Sequence, residues 1–288
     1  MSTAETRQPA HRGLFISLVA DASLFPPARL PMDESLRAHA AHRSAEYADV
    51  IGPFLVGVPA VEDLTTALAG GAPVPPAIGL VARPGTAVRD IDAALATLRT
   101  LETPRLVSLD TAWSPDWRNL DLGDLVVNLE VGREGRAEAL DDIASASDFV
   151  DVRAKFRTGA TPAWAWPTAT ELADVVVGAG ARFLPLTLTG GMHHVVRGEY
   201  TVDGSPEEQH GLLNVLVAVH ASAGGSDEGT VRELLDIRDA EALADIVAGW
   251  SSPDVAAVRA ALTGYGCCDV TDPIGELEGL GLLASGRE

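Results

Sequence analysis

Two hydrophobic rhythms take turns along this chain. Short apolar runs bounded by Pro, Gly or Asp alternate with longer stretches whose apolar residues return every three or four positions. The short runs predict strands at Leu14–Ala20, Phe54–Val58, Ala77–Ala82, Leu106–Asp110, Asp124–Glu130, Phe149–Gly159, Phe183–Thr189 and Val231–Ile237. Helical spacing covers 33–51, Val61–Ala69, Val88–Leu101, 134–145, Thr170–Ala179, Gly211–Ala223 and Ala240–Gly249. Eight strands alternating with helices is the order a (β/α)8 TIM barrel requires, so the expected fold is one α/β barrel domain over residues 13–252. Residues 1–12 read as a disordered N-terminus, and 253–288 as a C-terminal helical cap of the same domain. A doubly wound open sheet is the alternative. No Gly-x-Gly-x-x-Gly follows the first strand, so a dinucleotide fingerprint is missing.

Period-two alternation sorts the polar residues of each strand by face. In a parallel barrel one face packs on helices and the other looks into the lumen. The inner set is then Ser17 and Asp21 on the first strand, Arg83 after the third, Ser108 and Asp110 on the fourth, and Asn128 and Glu130 on the fifth. The sixth contributes Asp151, Arg153 and Lys155 against outward Val150, Val152 and Ala154, and the seventh Thr187 and Thr189. Most of these groups fall at C-terminal strand ends, where barrel enzymes build their sites. Asp151 and Arg153, deeper in the strand, suit a satisfied buried ion pair equally well.

Lys155 is singular. The chain has 21 Lys plus Arg, and Lys155 is its one lysine; the other 20 cations are arginine. An ammonium group can shed its proton and act as a nucleophile or base, whereas guanidinium cannot. Arg153 lies about 6.6 Å behind it along the strand and Arg157 just beyond, while Asp110, Glu130 and Asp151 are the carboxylates within reach.

Further candidates follow the seventh strand. Gly190 and Gly191 give backbone that can approach an anionic oxygen, and Arg83, Arg157 and Arg197 can clamp a phosphate or carboxylate. His193 and His194 suit acid–base work. Together with His210 they are the candidate metal ligands, but adjacent side chains diverge and no His-x-His lies on the first strand, so no metal and no cofactor is expected. His210 and Asn214 share one face at the start of the apolar helix, as a substrate contact or a core hydrogen-bonding pair. Trp164 and Trp166 offer a lid, ordinary loop packing or a contact for self-association into a homo-oligomer.

A net charge of −20 repels nucleic-acid backbones and anionic membranes, so neither is an expected partner. A small anionic substrate remains compatible through a local arginine cluster. Cys267 and Cys268 are adjacent, a poor basis for a disulfide framework, and point to a reducing compartment. With a polar N-terminus and no apolar run long enough to span a membrane, the expected location is cytoplasmic.

Ala154-Lys-Phe-Arg-Thr-Gly159 resembles the lysine strand of class I aldolases of the deoxyribose-phosphate type, where Lys-x-x-Thr-Gly carries the Schiff-base lysine. The resemblance implies a barrel lyase with Lys155 as nucleophile and a phosphate held near Thr189-Gly190-Gly191. This chain departs from that family in lacking its second functional lysine and in carrying His193-His194. The run Met192-His193-His194-Val-Val-Arg197, with Glu208-Gln-His-Gly-Leu-Leu-Asn214, is similar to an uncharacterised bacterial and plant barrel family, which supplies no activity. The expected function is thus a small-molecule enzyme, with Lys155 as nucleophile or base and Asp110 or Glu130 moving protons. The rivals are a hydrolase or isomerase without a covalent intermediate, and a non-catalytic ligand-binding barrel.

Overall fold

Strand propensity along the chain is spent in short pieces that cannot bury both faces alone, and the solution is closure. The computed structural model describes residues 10–161, 164–190, 192–202 and 204–284. Its elements begin β1 (Val19–Asp21), α1 (Met32–His42), β2 (Ile51–Gly57), α2 (Val61–Ala69), β3 (Ala77–Val81), α3 (Val88–Arg99) and β4 (Arg105–Ala112). A short 3-10 turn, Trp117–Asn119, replaces a helix before β5 (Val126–Glu130). Next come α4 (Arg136–Ala146), β6 (Val152–Arg157), α5 (Ala169–Gly180), β7 (Leu186–Thr189) and the hairpin β8 (Gly198–Val202) and β9 (Ser205–Gln209). Four helices follow, α6 (Leu212–Ala223), α7 (Glu228–Leu235), α8 (Ala240–Ala248) and α9 (Ser252–Ala261), then β10 (Leu262–Cys267) and α10 (Thr271–Gly279).

The parallel strands close in the order β1-β10-β7-β6-β5-β4-β3-β2, an eight-stranded α/β TIM barrel with helices outside and further helices toward the C-terminus. Outward residues such as Val127, Leu129, Ala154 and Leu188 are buried beneath that shell. Helix α6 is buried on nearly every side from Leu212 to Val219 because α5, α7, α8 and α9 all pack on it. This accounts for a sequence too apolar for a surface helix.

Three expectations for strands are corrected. Val231–Ile237 is not the eighth strand: Val231, Leu234 and Leu235 lie at helical spacing, Asp227 caps the segment by accepting from Thr230 N–H, and the chain forms α7. The closing strand is β10, inside the stretch 253–288 read as helical cap, so the barrel extends to Cys267. Gly264 and Gly266 disguise it as a turn. Gly264 is there because the neighbouring backbone comes close: a Cβ would lie 2.9 Å from the Leu18 carbonyl oxygen. At the other end, strand β1 begins only at Val19; Arg12–Leu14 is a 3-10 turn, and Leu14, Phe15 and Leu18 are fully buried. Ser17 is exposed with φ of 50°, not in the lumen. Most of the stretch 1–12 lies outside the described residues, but Ala10 is already packed.

Candidate active site

Of the polar residues that strand alternation assigns to the lumen, Ser108, Asp110, Asn128 and Lys155 are buried there, whereas Ser17, Arg83 and Asp151 are exposed and Asp21 bonds His39 of α1. Register pairs Asp110 with Asn128 between β4 and β5, and Glu130 with Lys155 between β5 and β6. Strand tilt brings residues of alternate strands to one level. Thus Lys155 Nζ on β6 crosses β5 to donate to Asp110 Oδ2 on β4. Asn128 Nδ2 donates to the other carboxylate oxygen at 2.5 Å. Lys155 is 4% exposed and Asp110 5%. The charge that faces the ammonium is therefore a carboxylate, not Arg153 or Arg157. Asn128 Oδ1 is buried and has no hydrogen-bond partner among the described residues, leaving one acceptor beside the ion pair.

One layer toward the C-terminal mouth, Arg157 Nε donates to Glu130 Oε1 at 3.1 Å, with the guanidinium about one-third exposed. Gly190 has φ of 70°, and a Cβ there would lie 2.6 Å from Arg157 Nη1, so only glycine lets the guanidinium lie against this turn. Gly191 lies outside the described residues. Arg83 is separate from this group: it is exposed on the turn after β3, over the ring of Phe25 at 5.7 Å. It lines a small cavity of about 120 Å³ with Thr86, Thr111, Ser114 and Trp117. A wider depression of about 530 Å³ lies at the N-terminal ends of β6 and β7, lined by Phe149, Asp151, Phe183 and Pro185. That is the end of a barrel where residues serve stability. Lys155 lines neither cavity.

No family model, curated protein or solved structure matches the chain. The site's own geometry therefore carries the argument.

Arg197, His210 and Asn214 come together, but around the hairpin and α6. Arg197 Nη2 meets Glu208 at 2.9 Å, and its Nε faces Asp236 at 3.3 Å without a hydrogen-bond alignment. Arg197 Nη1 donates to His210 Nδ1, and His210 Nε2–H donates to the Pro167 carbonyl at 2.8 Å. This bonding fixes the neutral tautomer. Burial, then the charge of Arg197, push the His210 pKa down to about 4. Asn214 accepts from Arg197 N–H and donates to the Leu234 and Ile237 carbonyls, joining hairpin, α6 and α7. Arg197 was expected beside Arg157; its guanidinium is instead committed to this network.

His194 is likewise committed. Its Nδ1–H donates to Glu276 Oε1 at 2.7 Å, and its ring stacks on Tyr200 with centroids 3.4 Å apart. His193 differs. Its Nδ1–H donates to Asp272 Oδ2 at 3.0 Å, and Cys268 Sγ lies 3.2 Å from Nε2. Cys267 Sγ is 3.9 Å from Nδ1 and donates to the Asp269 carbonyl at 3.0 Å. The sulfurs of Cys267 and Cys268 favour the imidazolium and push the His193 pKa up to about 11, against burial. Burial raises the Cys267 thiol. Sequence reasoning singled out His193 but passed over Cys268 and Asp272. The adjacent Cys267-Cys268 pair followed by Asp269 and Asp272 was the available signal.

Proposed function

We propose that this protein is a small-molecule enzyme in which Lys155 attacks a carbonyl carbon and forms a Schiff base. The observation that carries this reading is the one lysine of the chain, buried in the lumen and hydrogen-bonded to a carboxylate that can take its proton. The ammonium gives one proton to Asp110, and the amine attacks the carbonyl. Asp110 then returns a proton to the carbinolamine hydroxyl, which leaves as water, so that ammonium plus carbonyl becomes iminium plus water. Asn128 Oδ1 accepts from a substrate hydroxyl, and Arg157 beside Gly190 receives the phosphate or carboxylate in exchange for Glu130. The aldolase resemblance at residues 154–159 supports the same reading.

A closed trio of Lys155, Asp110 and Asn128 also favours a second reading, an enzyme without a covalent intermediate in which Lys155 is a fixed cation. Reduction with borohydride separates the two. The protein is incubated with a panel of small aldehydes and ketones bearing phosphate or carboxylate, reduced, and digested for mass analysis. An adduct on the peptide containing Lys155, absent in Lys155→Arg, is expected. An adduct confined to the terminal amine, or none with any member of the panel, leaves the second reading.

A further inference from the structure

The loop after β7 and the end of β10 build a second constellation, which does not depend on the chemistry of Lys155. Cys267 ends the strand with its side chain buried, and Cys268, one residue on, is half-buried. The thiol of Cys268 points to Nε2 of His193 at 3.2 Å, and the opposite ring nitrogen is anchored on Asp272 at the first turn of α10. The tautomer follows from the bonds. A carboxylate only accepts, so Nδ1 carries the hydrogen and Nε2 is left as the acceptor for a proton from sulfur. Nucleophile, base and orienting carboxylate thus stand in series, each within hydrogen-bond reach of the next. Cys267 takes no part as nucleophile: it is 2% exposed and its hydrogen is committed to the Asp269 carbonyl.

We propose that Cys268, His193 and Asp272 form a thiol-nucleophile site for activated acyl groups, esters or thioesters. The proton shared by Cys268 Sγ and His193 Nε2 stays on the imidazole as Sγ attacks the acyl carbon. The tetrahedral intermediate collapses, the bond to the leaving oxygen or sulfur breaks, and His193 returns the proton to that leaving group. A thioester on Cys268 remains. Water then attacks the same carbon with His193 as base, the C–S bond breaks, and the thiol is restored with release of the carboxylic acid. Asp272 touches no reacting atom and is a positioning residue.

The test uses the full chain and p-nitrophenyl acetate. One equivalent of nitrophenolate should appear in a burst, with an acetyl group mapped by peptide mass to Cys268. Acetylation of Cys268 in the folded protein should outpace that of the same cysteine in the urea-unfolded chain by about 100-fold, the scale of positioned general-base catalysis. His193→Gln should remove most of that advantage. Asp272→Asn should slow acetylation and Asp272→Glu restore it, a rescue that a merely structural carboxylate would not give. Equal rates for folded and unfolded wild-type chain would overturn the proposal without reliance on any variant. So would an acetyl group mapped to Cys267 or to Lys155 alone.

Discussion

At Asp110 both carboxylate oxygens are taken, one by Lys155 and one by Asn128, in a lumen where water is scarce. Removing one partner of such a pair leaves a buried charge without its counterion, which costs about 3–5 kcal/mol, far more than the pair contributes relative to well-packed apolar groups. Lys155→Met should therefore lower the unfolding free energy by that amount in urea titrations, and adding Asp110→Leu should recover much of it. A Lys155→Met variant as stable as wild type would mean that Asp110 reaches solvent or protonates at little cost. Which residues meet here was legible in the sequence. Period-two alternation alone put Asp110, Asn128 and Lys155 on one inner face. Alternation did not say which carboxylate would face the ammonium, because that depends on strand tilt. Nor did it expose Cys268 and Asp272, which lie beyond the strand, where alternation ends.

At the level of elements, the hairpin β8–β9 is fastened by Arg197, Glu208, His210 and Asn214 to α6 and α7. The sequence offered Arg197 as a clamp for an anion, and His210 with Asn214 as a substrate contact or a core hydrogen-bonding pair. Their real partners come from segments that no local pattern links. His210 gives this fastening a pH signature. Its folded pKa is pushed down to about 4, below the ordinary 6.5, so the unfolded chain binds the proton first. Its contribution is fully present above about 6.5 and is lost as pH falls toward 4, up to roughly 3 kcal/mol. Urea titrations at pH 7, 6 and 5 should show wild type losing stability more steeply than His210→Gln. Parallel curves for the two proteins would remove His210 from the account. The misreading of the eighth strand belongs to this scale too. In α7 a β-branched start and two leucines imitate a strand. In β10 two glycines, Gly264 close to the Leu18 backbone and Gly266 against the Leu55 side chain, imitate a turn.

For the molecule as a whole, the net charge of −20 opposes compaction by self-repulsion that salt can screen. Raising ionic strength from about 0.01 to 0.15 M shortens the screening length from about 30 to 8 Å. Thermal unfolding should move upward, by roughly 2–4 °C for each kcal/mol gained in a chain of this size. A midpoint that falls with salt would show that attractive ion pairs, such as Arg12 with Asp49, outweigh the repulsion. The alternating order of elements made the barrel itself legible, and among the described residues no helix is long and apolar enough to cross a membrane. How the ring is joined was not legible, and it has a temporal side. Val19 pairs on one side with Ile51 and on the other with Tyr265. A nascent chain emerging from the ribosome therefore carries the open side of β1 until every other barrel strand has been made. The matching open side of β7 joins it later, and both await β10, the last barrel strand in chain order. Unpaired edges of this kind invite association with other chains. The two glycines of β10 thus sit in the segment whose arrival ends that exposure.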